Sequence, residues 1–307
     1  MKPVVEQTWY LVISRQLSKV KPPFFEGLSV WDVLSFFAKG IYEGAVTTRA
    51  GSVSFSFFLA FFPGIIFLFT LVAYLPVQGM SDELFRLLHD MLPPSTYELA
   101  ENTINDILTI KRGGLLSFTF VAAMVFATNG TLSLISNLGI TYHGINVKNF
   151  WQQYFAALLL TVVLTVLLFI GIVALIFSAS FTNWLVEFDY MAEYSANIIS
   201  WGRILVLISV VLLGISLVYN YGPVRSREWR FISPGAILAT LLMIASSSGF
   251  GFYVENFSTY NRFYGSIGTL LIMLLWIYIN AVGLIIGFEL NASIAGAQNK
   301  KDTKELD

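Results

Sequence analysis

The chain has no cysteine and little charge, and each shortage excludes a class of protein or site. Without cysteine it can form no disulfide, no thiolate metal site and no cysteine nucleophile. Charged residues make up only 12% of its 307 residues, whereas soluble domains carry about 25%. The net charge of −1 gives no overall basic signature, so we expect no nucleic-acid partner. With 56% hydrophobic and 16% aromatic residues, the composition is that of an integral membrane protein.

Long uncharged stretches predict an all-α integral membrane protein with six transmembrane helices. The clearest stretch covers residues 264–288, which carry no charge and are followed at once by Glu289. It is longer than the roughly 20 residues that a helix needs to cross a bilayer. The stretches together define a transmembrane domain over residues 50–295, with spans at about 53–75, 115–138, 154–177, 204–221, 231–254 and 264–288.

Three further segments flank or interrupt the spans. Residues 1–49 form an N-terminal segment, residues 76–113 the longest loop, and residues 296–307 a tail. The loop carries two short amphipathic patterns, so we expect a helical extracytoplasmic loop. The N-terminal segment has apolar residues at spacings of three and four, which predict an amphipathic helix; they are Val30, Leu34, Phe37, Ile41 and Ala45. That helix either lies on the membrane surface or packs on the protein's own cytoplasmic end, and the pattern fits both.

Lysine and arginine are distributed unevenly between the two sides that this topology defines. Thirteen lie on the side of the two termini and five on the other, the five being Arg86, Lys111, Arg112, Arg203 and Arg262. Cytoplasmic loops carry the excess of positive charge in membrane proteins. We therefore expect both termini in the cytoplasm and the long loop outside.

The first span contains Pro63 and Gly64 near its middle. Proline lacks the backbone donor that continues a helix, and its ring clashes with the preceding turn, so we expect a bend or a break there. One interpretation is a kink that serves packing. The other is a hinge or a discontinuous helix that lines a cavity.

Polar side chains within the spans mark a candidate polar cavity or gate. In the second span, Asn129, Ser133 and Asn137 share one helical face. In the sixth, Asn280, Gly283, Gly287 and Asn291 share another, and the two glycines form a GxxxG pair that allows close helix approach. Amides inside a bilayer either bond to a neighbouring helix or line a wet cavity, and both interpretations stay open for these.

Arg49 and Glu289 are the charged pair that the topology places at one depth, at the start of the first span and the end of the sixth. Glu289 points away from the face of Gly283 and Gly287, because two residues along a helix is a turn of about 200°. A carboxylate there is costly unless it is paired, and a guanidinium can bridge it through two bonds. We expect an ion pair, acting either as a structural clamp or as a gate latch that contacts substrate.

Two stretches of the chain carry a resemblance to a known family. The first is Arg49-Ala50-Gly51 leading into a Phe- and Pro-rich span. The second begins YNYGPVRSREWRFISPG and continues to GFELNA, with Tyr260, Asn261 and Tyr264 between them. Together they resemble the YihY/BrkB family of bacterial inner-membrane proteins over about residues 30–295. The resemblance implies a multi-pass protein of the bacterial inner membrane, and it adds Tyr260, Asn261 and Tyr264 to the candidate site.

The resemblance brings two expectations about function. Members of the family have been labelled ribonuclease BN, but this chain has only two histidines, His89 and His143, on opposite sides by the expected topology. Because metal-dependent nucleases need clustered histidines and carboxylates, we expect no ribonuclease or other enzyme activity, no catalytic residue, no cofactor and no metal. The favoured function is a transporter or a flippase-like, lipid-handling protein whose partners are membrane lipids and a lipid or small-molecule substrate. A non-transporting envelope scaffold is the alternative, and the sequence leaves the oligomeric state open.

Overall fold

The structure is a computed structural model of the 307-residue chain. It describes residues 15–22, 25, 27–72, 74, 106, 112–140, 149–187, 194–222, 232–256 and 266–306. Seven long helices make up nearly all of this part of the chain, and it contains no strand. The prediction of an all-α membrane protein is therefore confirmed.

The helices are numbered in chain order. They are α1 (Val30–Glu43), α2 (Val46–Val72), α3 (Gly113–Gly139), α4 (Phe150–Glu187), α5 (Tyr194–Tyr221), α6 (Pro234–Asn256) and α7 (Ser266–Leu306). Six of them, α2 to α7, are long and apolar enough to cross a membrane. Apolar runs of this length fold as helices in a bilayer because only a helix satisfies its own backbone hydrogen bonds there.

The six spanning helices form a closed ring in chain order. Each packs against the helices before and after it, and α7 closes the ring by packing against α2. The apolar core joins α2, α3, α5, α6 and α7 through side chains such as Val53, Leu138, Tyr219 and Ile285. Because successive spans run in opposite directions, these residues all belong to one end of the bundle, where α2 and α6 begin and α3 and α5 end. We call it the packed end.

Two helix boundaries differ from the predicted spans in a way that matters for the site. α2 begins at Val46 rather than near residue 53, so Arg49 lies inside its first turn. α7 runs to Leu306, far beyond the predicted end at 288, so Glu289 lies well inside a helix. Neither junction contains a proline to stop the helix, and alanine favours its continuation. The long loop and the stretch 257–265 lie outside the described residues.

The helix α1 packs against the last part of α7. Its buried residues are Val33 and Gly40, and Val33 joins Leu28, Ile294 and Ala297 in a small apolar cluster. This favours the packed arrangement over one that rests on the membrane alone. The buried face of α1 is shifted by one residue from the predicted apolar stripe, because Val33 is buried whereas Leu34 is exposed. Ser29 caps the helix by accepting a hydrogen bond from the backbone N–H of Asp32.

The helix α2 runs through Pro63 and Gly64 without interruption. The discontinuous helix considered from the sequence is therefore not what forms. The missing donor of Pro63 costs one bond, which the long helix tolerates because the flanking residues keep theirs. The bend expected at this position stays a prediction.

Candidate functional site at the packed end

Arg49 is the polar centre of the packed end. Its side chain is 4% exposed, and its Nη1 lies 2.5 Å from Oε1 of Glu289, which is fully buried. The expected ion pair between the first and last spans is therefore present. It joins residues that are 240 positions apart in the chain.

Two further N–H groups of Arg49 cap helix ends. Nε donates to the carbonyl oxygen of Asn137 at 2.8 Å, in the last turn of α3. Nη1 donates to the carbonyl oxygen of Gly44 at 3.1 Å, just after α1. The last carbonyls of a helix lack partners within it and carry partial negative charge, so a cation is favourable there. One guanidinium thus ties α1, α3 and α7 to α2.

The backbone beside this arginine is strained. Ala45, between α1 and α2, has φ of 46°, in the left-handed region. That conformation costs a non-glycine residue roughly 1–2 kcal/mol. The bond from Arg49 to Gly44 holds the preceding carbonyl in place, so the same side chain that pairs with Glu289 also fixes this turn.

Two buried atoms of the ion pair have no hydrogen-bond partner among the described residues, Nη2 of Arg49 and Oε2 of Glu289. The pair is therefore joined by one bond, although a guanidinium and a carboxylate can form two. A buried charge with unused bonding capacity is less stabilising than a fully bonded one. Another polar group, or another conformation of the protein, can therefore supply the hydrogen bonds that Nη2 of Arg49 and Oε2 of Glu289 lack here.

The opposite face of α7 packs tightly on α6. A Cβ on Gly235 would overlap the carbonyl oxygen of Gly287, and a Cβ on Gly287 would lie 2.7 Å from Tyr219 Oη. Tyr219 Oη donates to the carbonyl oxygen of Leu284 at 2.5 Å. Of the GxxxG pair, Gly287 therefore allows the expected close approach, whereas a Cβ on Gly283 would lie 3.4 Å from Leu242 Cβ. Glu289 faces α2 on the other side of α7.

Asn291 caps the beginning of α6. Its Oδ1 accepts from the backbone N–H of Gly235 at 2.8 Å, and its Nδ2 donates to Ser233 Oγ at 2.8 Å. Ser233 precedes Pro234, the order that favours a helix start. About three turns nearer the start of α7 and on the same face of that helix, Asn280 Oδ1 lies 3.1 Å from Ser246 Oγ of α6. Both asparagines thus bond to α6, which is the helix-bridging alternative for amides in a span.

The polar face of α3 meets α2 only in part. Asn137 Nδ2 lies 3.3 Å from Ser52 Oγ, and Ser133 Oγ lies 3.4 Å from the same atom. Ser133 and Asn137 are half-buried at this seam, whereas Asn129 is exposed. The structure therefore brings two of the three predicted residues together. A water-filled cavity lined by all three stays a prediction.

Away from the packed end, the helices bury few residues; we call this the open half. In a filled bundle each helix buries one face, so a stretch of two turns includes buried positions. Among the described residues, none is buried within 55–69, 120–127, 162–170, 204–214, 241–251 and 270–279. Beyond these stretches, the described part of this end buries only single residues of four helices: Thr70, Thr119, Gly171 and Gly268.

Gly64 illustrates this on α2. It lies eleven residues after Val53, which is three turns and the same face. Val53 is 1% exposed, yet a Cβ on Gly64 would meet nothing within 4 Å. The face of α2 that is filled at the packed end is thus open further along.

Sequence reasoning missed Ser52, Gly235, Ser233 and Tyr219, which bond or pack at the site. Of these, Ser233 had a usable signal, since serine before proline marks a helix start. The predicted site residues Tyr260, Asn261 and Tyr264 lie outside the described part of the chain. So do His89 and His143. Within the part that is described, no group of three histidine or acidic side chains could hold a metal ion.

Comparison with known proteins agrees with the architecture. Residues 37–307 match the protein family described as Virulence factor BrkB. A ribonuclease-like protein of Bacillus subtilis (strain 168), YfkH, is 29% identical over 82% of this chain and 90% of its own length. A UPF0761 membrane protein of Alteromonas mediterranea is 26% identical over 93% of this chain and 96% of its own.

A UPF0761 membrane protein of Xanthomonas campestris (strain B100) is 29% identical over 59% of this chain. The aligned part covers 44% of that longer protein. No solved structure matches the chain.

Proposed function

Because the chain belongs to the BrkB family of membrane proteins, we propose that it moves lipid-like molecules across the bacterial inner membrane. In this proposal the packed end is the closed gate on the cytoplasmic side, and the open half is a vestibule that faces outward. The orientation follows from the excess of lysine and arginine on the side of the termini. The structure would then represent an outward-facing conformation of a transporter, with its cytoplasmic gate closed.

The observation that carries the proposal is the unequal packing of the two ends. Buried residues of α2, α3, α5, α6 and α7 crowd together at one end of the ring. A protein that only held its helices together would gain stability by filling the other half as well. Alternating access instead requires a bundle in which one end is closed while the other admits substrate.

The substrate class follows from what lies in the open half. Large apolar side chains stay exposed there on helix faces that are buried at the packed end, for example Leu68, Leu168 and Leu205. Charged side chains are absent from the described residues of 55–69, 162–170 and 241–251. A strongly hydrated solute gains little from such walls, whereas acyl chains lose no favourable contacts on entering them. An amphiphile is therefore the better fit.

In this mechanism the Arg49–Glu289 pair is the latch of the closed gate. It joins the first and last spans, and its single bond leaves Nη2 of Arg49 free for an acceptor. A substrate phosphate would supply such an acceptor and could draw the guanidinium away from Glu289. Separating the pair would also release the carbonyls of Gly44 and Asn137, and with them the ends of α1 and α3.

The test is lipid movement in liposomes that contain the purified protein and a fluorescent phospholipid. Dithionite bleaches label in the outer leaflet, so transfer appears as loss of the protected fraction. We expect faster transfer with wild type than in empty liposomes. Glu289→Gln keeps the size of the side chain but removes its charge, and we expect transfer at least about tenfold slower, since the gate cannot reclose.

A matched control comes from the exposed ion pair between Arg112 and Asp106, at 3.1 Å. Asp106→Asn also removes one carboxylate charge from an ion pair, but the pair is solvent-exposed and contributes little. We expect wild-type transfer from it. If wild type transfers lipid no faster than empty liposomes, the proposal is wrong and the envelope-scaffold alternative is favoured.

A further inference from the structure

Asn129 differs from the other asparagines of the described spanning helices. It lies three residues from the middle of α3, or about 5 Å along the helix axis. Its side chain is exposed and makes no hydrogen bond with any described residue. The other four asparagines of the described spans all bond to protein; they are Asn137, Asn220, Asn280 and Asn291.

This position is costly for an isolated chain. A hydrocarbon core of about 30 Å extends roughly 15 Å to each side of its centre, so Asn129 is deep within it. An amide without a partner in that medium loses the hydrogen bonds that it makes in water. Spanning helices meet this cost by pairing such amides across a helix–helix contact.

The surroundings of Asn129 form a face suited to a second helix. Ala122, Phe126 and Asn129 follow one another at spacings of four and three along the side of α3 turned away from the core. This is the spacing of a helix seam, in which one polar residue among apolar ones fixes the register of the partners. The small side chain of Ala122 allows close approach, and Ser133, which bonds to Ser52 of α2, lies beside this face.

We propose that this face of α3 is the contact surface between two copies of the chain in the membrane. An asparagine side chain is both donor and acceptor, so two copies of Asn129 related by a twofold axis satisfy each other with two reciprocal bonds. The apolar residue Phe126 then packs against its own copy across the axis. This inference stands independently of the proposed transport function.

The alternative occupant, a lipid head group, fits the face less well. Head groups lie outside the hydrocarbon core, so reaching Asn129 requires a polar path along the surface. From Asn129 as far as Phe118, the exposed side chains of α3 are apolar: Phe126, Val125, Val121, Phe120 and Phe118. The polar residues thus end at mid-membrane, and no track continues across.

The chain lacks cysteine, so single cysteines can be introduced without removing any. We expect Phe126→Cys and Asn129→Cys to cross-link into dimers in native membranes with a lipid-soluble oxidant. The control is Ile244→Cys, ten residues into α6 as Asn129 is ten residues from the end of α3. It is exposed and lies three places around the ring, so we expect it to stay uncross-linked.

The second measurement is dimer dissociation in liposomes by single-molecule photobleaching at graded dilution. Asn129→Leu should raise the dissociation constant roughly tenfold, since two interhelical bonds are lost, whereas Asn129→Gln should stay near wild type. Monomers at every density for wild type would overturn the inference, as would equal dissociation of wild type and Asn129→Leu. Unchanged association together with slower lipid transfer in Asn129→Leu would instead assign the residue to lipid.

Discussion

Removing Arg49 should cost far more than removing an ordinary surface charge. The substitution Arg49→Ala deletes the bond to Glu289 and the bonds to the carbonyls of Asn137 and Gly44. It also leaves the fully buried carboxylate of Glu289 without a counter-charge. Breaking a buried pair on one side costs about 3–5 kcal/mol, and we expect a loss of that size in the free energy of unfolding.

The double variant separates the pair from its surroundings. In Arg49→Ala/Glu289→Ala no charge remains buried, so we expect its loss in the free energy of unfolding to be no larger than that of Arg49→Ala alone. The loss of the double variant would then be smaller than the sum of the two single losses by a coupling energy of about 2–3 kcal/mol. The charge-swapped variant, Arg49→Glu/Glu289→Arg, should recover part of the loss. Its recovery stays incomplete because the swapped guanidinium no longer caps Asn137 and Gly44.

The assay is reversible unfolding in mixed micelles, followed by the fluorescence of the seven tryptophans. The exposed pair Arg112 and Asp106 is the control, and Arg112→Ala should cost no more than about 1 kcal/mol. Additive losses in the double variant would refute the reasoning, because they would mean that the two side chains stabilise the protein independently. A loss for Arg49→Ala as small as that for Arg112→Ala would refute it as well.

The contacts of α7 with α5 and α6, and the membrane topology, can each be tested separately. Gly287→Ala should cost at least about 2 kcal/mol of stability, since its Cβ would press on Gly235 and Tyr219, whereas Gly249→Ala, with open space, should be neutral or slightly stabilising in the same unfolding assay. Tyr219→Phe should cost about 1 kcal/mol there, through loss of its bond to the Leu284 carbonyl. Reporter fusions after four residues should lie outside, inside, outside and inside in turn: Asp106, Lys148, Asp189 and Arg227. A cytoplasmic signal from the fusion after Asp189 would contradict the topology.

The sequence was sufficient for the helices and for the central ion pair. Apolar runs long enough to span a bilayer have one structural outcome, so six spanning helices could be predicted from length alone. Arg49 and Glu289 could be paired because charge at the membrane boundary is rare and must be neutralised. The same argument correctly separated Glu289 from the glycine face of α7, since helical periodicity fixes both directions.

Contacts between helices were the part that the sequence could not supply. Asn129, Ser133 and Asn137 share a face, but only the packing of α2 decides that Asn137 meets Ser52 while Asn129 stays exposed. The helix starts were also missed, because Val46 to Gly51 contains polar residues that a hydropathy argument excludes. Arg49 is accepted inside α2 because carbonyls from two other helices surround it, which is tertiary information.

The claim that the bundle is closed at one end and open at the other can be tested with single cysteines on α2. Gly64→Cys lies on the inward face in the open half, Val53→Cys on the same face at the packed end, and Ile66→Cys at the depth of Gly64 but on the exposed face. Cells carrying each variant are treated with a membrane-impermeant maleimide, which labels only thiols that water reaches from outside. We expect labelling of Gly64→Cys and none of Val53→Cys or Ile66→Cys. Protection of Gly64→Cys, or equal labelling of Gly64→Cys and Val53→Cys, would contradict it.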